Sequence, residues 1–258
     1  MTAEPTRRRK LADLIGEDIK REIVTAQLQP GDRLPNEKAL MTHYGCAKAT
    51  IRETLKVLEV EGLVTLKTGP GGGAFIKAPT TDPASRALRN FLHFQHLDGG
   101  QVYQLRRLAE VEMAVSVIGH LSTEDFVALE ANIEHCRQPH DGDEGHRHHR
   151  MLELEFHNIL ARACPNPLLR FLCGFLNDLL RDLVVLKKAY KPERKQFDQA
   201  NIDYHVELVA ALRERDVLRV RELMHDHMCD AEHHMTALEG QVADQFLVNP
   251  RQGLPIPG

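Results

Sequence analysis

Between Gly31 and Lys77 the apolar spacing changes from a helical period of about 3.6 residues to a strand period of about two. The stretch reads GDRLPNEKALMTHYGCAKATIRETLKVLEVEGLVTLKTGPGGGAFIK. Pro35 pre-sets a helix over 36–43, and Tyr44-Gly45-Cys46 makes a tight turn. A second helix over 47–60 turns Ile51, Leu55, Val57 and Leu58 inward, and Gly62 ends it. Leu63 to Leu66 and Ala74 to Ile76 pair as short strands around the tip Gly69-Pro70-Gly71-Gly72-Gly73. That order is a helix-turn-helix followed by a hairpin wing, a shape that lays one helix in a groove of duplex DNA.

An amphipathic helix from Arg8 to Leu28 precedes this unit, with Leu11, Leu14, Ile15, Ile19 and Ile23 on one face and Pro30-Gly31 as its stop. The expected organisation is a winged helix-turn-helix domain at 8–78, a linker at 79–100, an all-helical domain at 101–238 and a flexible tail at 239–258. The linker carries a short helix near 84–95. Helices follow near 101–120, 123–137, 147–164, 166–189, 195–214 and 216–237, with Ser122 placed to cap one of them. The fold class is therefore mainly α, with a small β wing and a C-terminal antiparallel helical bundle.

Charge follows the same division. Residues 1–80 carry 13 Lys and Arg against 10 Asp and Glu, whereas the remainder carries 20 against 27. A mildly basic head on an acidic body suits a chain that sets one end on phosphates. No apolar run approaches the roughly 18 residues of a membrane helix, and MTAEPTRRRK lacks the apolar core of a signal peptide. The five cysteines are scattered, without a C-x-x-C pair, which argues against disulfides and zinc fingers and for a cytoplasmic location.

In the head, Lys48, Thr50 and Arg52 lie on the exposed side of the second helix of the pair while Ile51 and Leu55 anchor it. Arginine can grip guanine bidentately; lysine and threonine reach phosphates or base edges. Lys38 on the preceding helix falls near the DNA backbone, and Gly71 and Gly72 let the wing's main chain approach closely. The glycines are not a phosphate loop, because no Gly-Lys-Ser/Thr follows. A strand rather than a helix comes next, which removes a dinucleotide fold.

In the body, 14 of the 15 histidines lie beyond residue 80. Glu153 and His157 are four apart and share a helix face; His205 and His227 lie on the two last helices. Spacing alone leaves two readings open, separate core or surface histidines, or one carboxylate and three imidazoles converging on a divalent metal. His140, His146, His148 and His149 form a further cluster, read as a solvated helix entry, and Cys136, Cys164 and Cys173 read as plain core.

The head resembles the N-terminal domain of GntR-family transcription regulators. The residues that carry this are Pro30-Gly31, Leu34-Pro35, Glu37, Leu40, Gly45, Ile51-Arg52-Glu53, Leu55, Leu58-Glu59 and Gly62-Leu63, over about 65 residues. Ala47 stands where that family usually places a capping Ser or Thr, and Lys48 where it usually has Arg. The body, over roughly residues 100–237, resembles the FadR-type FCD effector domain. There Asp-x-x-x-His and two later histidines hold a metal, matched here by Glu153, His157, His205 and His227 with Glu in place of Asp. Arg106 and Glu110 match the Arg-x-x-x-Glu of that domain's first long helix.

The resemblance implies a DNA-binding transcription regulator rather than an enzyme, most often a repressor. It implies a homodimer on a palindromic double-stranded operator. A small carboxylate metabolite would bind in the helical domain over a divalent metal, zinc foremost, with Ni, Mn or Fe as alternatives. Arg106, Asn177 and Arg181 are the expected effector-binding residues, although Arg106 could equally be spent on an ion pair with Glu110. The rival readings are a regulator that senses the metal ion itself, and a metalloenzyme with an accessory DNA-binding head.

Overall fold

The computed structural model describes residues 10–95, 97, 99–187 and 195–239, and it divides into two compact units with the boundary between Ala87 and Leu88. In the first unit, α1 (Leu11–Thr25), α2 (Glu37–Tyr44) and α3 (Lys48–Val60) precede the antiparallel strands β1 (Val64–Lys67) and β2 (Gly73–Ile76). The pairing runs from Val64 opposite Ile76 to Lys67 opposite Gly73, which leaves the glycine-rich tip as the turn.

Local chemistry sets these boundaries. Asn36 caps α2, its Oδ1 accepting from the Ala39 amide at 2.9 Å. Gly45 then ends α2 in the left-handed region at φ 59°, where a side chain would be strained. Ala47 precedes α3 in an extended conformation and offers no side-chain cap. Ile15, Ile19, Leu40, Ile51, Leu58 and Val64 are at most 3% exposed and form one small core. Burying each such side chain is worth about 1.5–3 kcal/mol.

Three side chains expected to face inward do not. Leu11 and Leu14 are exposed, and Ala12 and Gly16 take the buried face of α1 instead, because α3 packs close against that helix. Val57 is also exposed. Thr54 occupies the buried side of α3, its hydroxyl 3.0 Å from the carbonyl oxygens of both Ala12 and Thr50. A hydroxyl satisfied in this way can enter a core that periodicity reserves for aliphatic residues. The stop of α1 also comes earlier than Pro30, with Gln27 at φ 51° just past the helix end.

The boundary between the units falls inside α4 (Asp82–His93). The second unit continues as α5 (Gly99–Ser116), α6 (Thr123–Arg137), α7 (Gly142–Ala163), α8 (Pro167–Lys187), α9 (Lys195–Glu214) and α10 (Val217–Glu239). Ser122 and Asp125 close a reciprocal capping box at the start of α6. α5 packs on α10 and α8, α7 on α6 and α8, and α9 on α6 and α10. The core between them holds Met113, Phe156, Leu160, Leu180, Leu208 and Met228, with Cys136, Cys164 and Cys173 buried among them. No helix among the described residues is long and apolar enough to cross a membrane. The expected tail at 239–258 lies, beyond Glu239, outside the described residues.

Candidate nucleic-acid interface and buried histidine site

The start of α2, the exposed side of α3 and the wing enclose an open groove of about 1220 Å³. Lys38, Lys48, Arg52, Lys56 and Lys67 line it with Gly69, Gly72 and Gly73, over a floor that includes Met41, Leu55 and Leu66. Of the expected DNA-reading set, Lys38, Lys48, Arg52 and Gly72 face this groove; Thr50, in the first turn of α3, and Gly71, at the wing tip, are not in its lining. A Cβ on Gly72 would stand 2.4 Å from the Lys67 carbonyl oxygen, so only glycine fits there. Arg33, which sequence reading passed over, donates to the Gly72 carbonyl and lies over Phe75 at 5.8 Å, holding the wing from below. Five cations in one concavity are an electrostatic footprint for phosphates.

In the second unit, His157 on α7, His205 on α9 and His227 on α10 converge. His227 Nε2 is 3.2 Å from His157 Nε2 and 3.2 Å from His205 Nε2, and all three residues are at most 2% exposed. Phe156 stacks flat on His205 at 3.7 Å between ring centroids and fixes that ring. His157 Nδ1 is 2.9 Å from Glu110 Oε2, and Arg106 Nε donates to Glu110 Oε1 at 3.0 Å.

That carboxylate determines the protonation of the cluster. Glu110 can only accept, so neutral His157 carries its proton on Nδ1 and turns a bare lone pair on Nε2 inward. If His227 Nε2 donates to that lone pair, it has none left for His205, and its own Nδ1 is buried without a partner among the described residues. Hydrogen bonds among three neutral imidazoles therefore leave the cluster unsatisfied, whereas a cation at their centre takes all three lone pairs. Two nitrogens on one tetrahedral zinc at about 2.0–2.1 Å stand roughly 3.4 Å apart, and neighbouring octahedral corners about 3.0 Å. The observed 3.2 Å fits between the two.

Electrostatics act in the same direction. Burial, then the neighbouring imidazoles, hold His205 and His227 well below the usual histidine range. Burial also lowers His157, against the opposing pull of Glu110. All three are thus neutral near pH 7, the form that ligates metals. Burial works to raise Glu110, but His157 and Arg106 outweigh it and bring its carboxyl to about 2.

Glu153, expected beside the three histidines, is placed elsewhere. Its Oε2 accepts from Arg150 at 2.7 Å and its Oε1 from Asn201 at 2.8 Å, and it clusters with His149 and Asp198. A buried carboxylate one turn from a guanidinium is drawn to the full positive charge before it is drawn to neutral imidazoles. Burial works to raise the Glu153 carboxyl, and Arg150 and His149 together hold it below its ordinary value. The histidine-rich stretch is not a solvated entry throughout, since His149 is buried within α7.

Residues 11–76 match the family described as bacterial regulatory proteins, gntR family, and residues 101–230 match the FCD domain. The chain belongs to the GntR family. Its winged unit makes it a DNA-binding transcription regulator rather than an enzyme, and its helical unit is an FCD domain. Among curated relatives it is similar to the HTH-type transcriptional repressor NanR of Salmonella newport and of Salmonella typhimurium. Each is 25% identical over 229 residues, covering 87% of this chain and 85% and 84% of the relatives. Among solved structures, Streptococcus agalactiae GntR aligns with a TM-score of 0.55 at 20% identity, over 86% of this chain and 99% of that one, which shows a shared fold.

Within the FCD domain of this GntR-family chain, the expected effector residues differ in availability. Arg106 is 3% exposed and does pair with Glu110, yet its Nη2 is buried with no hydrogen-bond partner among the described residues. Asn177 is also buried, donating to Asn158 at 3.1 Å while its Oδ1 lacks a partner among the described residues. Arg181 lies farther along α8, partly exposed and paired with Asp178 at 2.5 Å. Glu110 is the residue whose role the sequence hid. Four residues after Arg106 it reads as half of an intrahelical ion pair, and its hold on His157 joins positions 47 residues apart.

Proposed function

We propose that this GntR-family chain is a repressor whose grip on its operator is controlled by a small organic acid bound beside a divalent metal in the FCD domain. His157, His205 and His227 would hold the metal, while Glu153, the fourth ligand expected from its place one turn before His157, is engaged instead by Arg150 and Asn201. Glu110 orients His157 through Nδ1, as carboxylates behind metal-bound imidazoles commonly do. The bound ion, zinc before Ni, Mn or Fe, would supply a Lewis-acidic anchor for a carboxylate. Arg106, whose Nη2 has no partner among the described residues, is the cation to meet the acid, and Asn177 and Arg181 are proposed beside it.

The observation that carries this reading is the inward convergence of three neutral imidazole nitrogens, unsatisfiable by one another, in a chain that also has a winged DNA-binding unit. The curated relatives bear the name of repressors, which favours repression as the sign of control. The proposed working form is a homodimer in the cytoplasm, because two-fold related heads match a palindromic operator. On the head, Lys38, Lys48, Thr50, Arg52, Gly71 and Gly72 are the proposed DNA contacts.

The test uses the full chain, stripped with chelator and then reloaded, on duplex DNA from the region upstream of its own gene. A panel of small hydroxy-, keto- and sugar acids is titrated in each state. The reading expects at least one acid to change operator affinity about 5- to 150-fold in metal-loaded protein and not in stripped protein. A response to metal alone, indifferent to every acid, replaces it with metal-ion sensing. No response to either refutes both.

A further inference from the structure

Among the side chains lining the DNA-facing groove, Glu37 is the one carboxylate, set among five cations. A negative charge in a groove that receives phosphates weakens binding to every sequence alike. Its geometry is nevertheless specific. Arg52 Nε donates to Glu37 Oε1 at 3.0 Å and to Oε2 at 3.2 Å, while Lys48 Nζ stands 3.5 Å from Oε2. Arg52 makes no other hydrogen bond among the described residues, so both terminal nitrogens of its guanidinium are free. Those are the paired donors that match guanine O6 and N7.

We infer that Glu37 is a positioning residue for base recognition: it locks the Arg52 guanidinium with its terminal edge outward, and it trades affinity for any DNA against discrimination between sequences. Arg52 is 62% exposed, and without Glu37 it would have to give up its rotamer freedom at the moment of binding. The hydrogen bond from Arg52, more than any other influence, holds the Glu37 carboxyl below its ordinary range. Lys48 is drawn to the same carboxylate and is thereby withheld from a phosphate. The inference rests on α3 being the helix that reads DNA.

The consequence is two changes of opposite sign. In Glu37→Ala, Arg52 pays its ordering cost on binding, and discrimination against a wrong base at its contact falls about 2- to 12-fold. Binding to unrelated duplex rises at the same time. The dependence of log K on log salt steepens by about one unit, because Lys48 is released to a phosphate. Glu37 is on the surface and Asn36 caps α2 independently, so melting of the head should not move.

The experiment selects sites from a random duplex library with the full chain, then measures affinity for the selected site, single-base variants of it and unrelated DNA. Wild type, Glu37→Ala, Arg52→Ala and the double variant are compared. Support consists of lower discrimination with higher unrelated-DNA affinity in Glu37→Ala, and loss of the discrimination effect once Arg52 is absent. Unchanged discrimination, or an equal change toward all sequences, overturns the role of Glu37 and leaves α3 as the reader. Failure of wild type to select any site overturns the reading of α3 itself, and the inference with it.

Discussion

Removing one imidazole from the buried cluster should uncouple the protein's stability from metal. His227 is the informative choice, since its Nε2 is the atom shared by both 3.2 Å contacts. Structural zinc sites with four ligands are worth about 10–16 kcal/mol, so one ligand carries roughly 3 kcal/mol and its loss should weaken binding about 100-fold or more. With metal at about 100 times the wild-type dissociation constant, linkage stabilises wild type by about 2.7 kcal/mol; a site 100-fold weaker gains only about 0.4 kcal/mol. At about 2–4 °C per kcal/mol, the metal-induced rise in melting temperature should fall from about 5–10 °C to about 1–2 °C. Thermal melts of His227→Ala with chelator and with added zinc, alongside elemental analysis, measure this. The comparison is of shifts rather than absolute melting points, because the substitution also opens a cavity. His227→Gln keeps most of the volume, and His225→Ala alters an exposed neighbour two residues away and should keep the full shift. A His227→Ala protein that carries as much metal and gains as many degrees as wild type would refute the ligand assignment.

Two further outcomes concern single contacts. Ala47→Ser supplies the missing cap to α3 in backbone that is already extended, and should stabilise the winged unit by about 0.5–2 kcal/mol in denaturant titration; no gain would show that the α3 terminus does not limit stability. Arg89→Ala leaves Asp182 buried without its partner and should cost about 3–5 kcal/mol at neutral pH. Burial already raises the Asp182 carboxyl despite Arg89, so folding favours its protonated form. The stability linked to that proton is present at low pH and lost as pH rises through the folded value, and the Arg89→Ala deficit should therefore shrink on acidification. A deficit that stays constant from neutral pH down to the ordinary carboxylate range would show that the lost packing of Arg89, not the stranded charge, accounts for it.

Element order and type in the winged head were legible from local chemistry. Asn36, Gly45, Gly62 and the wing glycines act on backbone within a few residues of themselves, and the alternation of Val64 to Lys67 needs only one buried face. Three of the groove's five cations, Lys38, Lys48 and Arg52, were likewise readable from surface charge on patterned helices, whereas Lys56 and Lys67 join them only through the fold. The three histidines that converge could be singled out because each sits on a long, strongly patterned helix.

Tertiary structure decided what depends on partners far away in the chain. Thr54 is core only because the Ala12 carbonyl meets it, and Leu11 and Leu14 are surface only because Ala12 and Gly16 bring α1 close to α3. Glu110 acquires its role from His157, and Glu153 is drawn from the histidines by Arg150 and Asn201. Helical periodicity tells which face a side chain occupies. A carboxylate on a buried face then pairs with whichever cation or donor the packing brings within about 3 Å, and that choice is made by the fold as a whole.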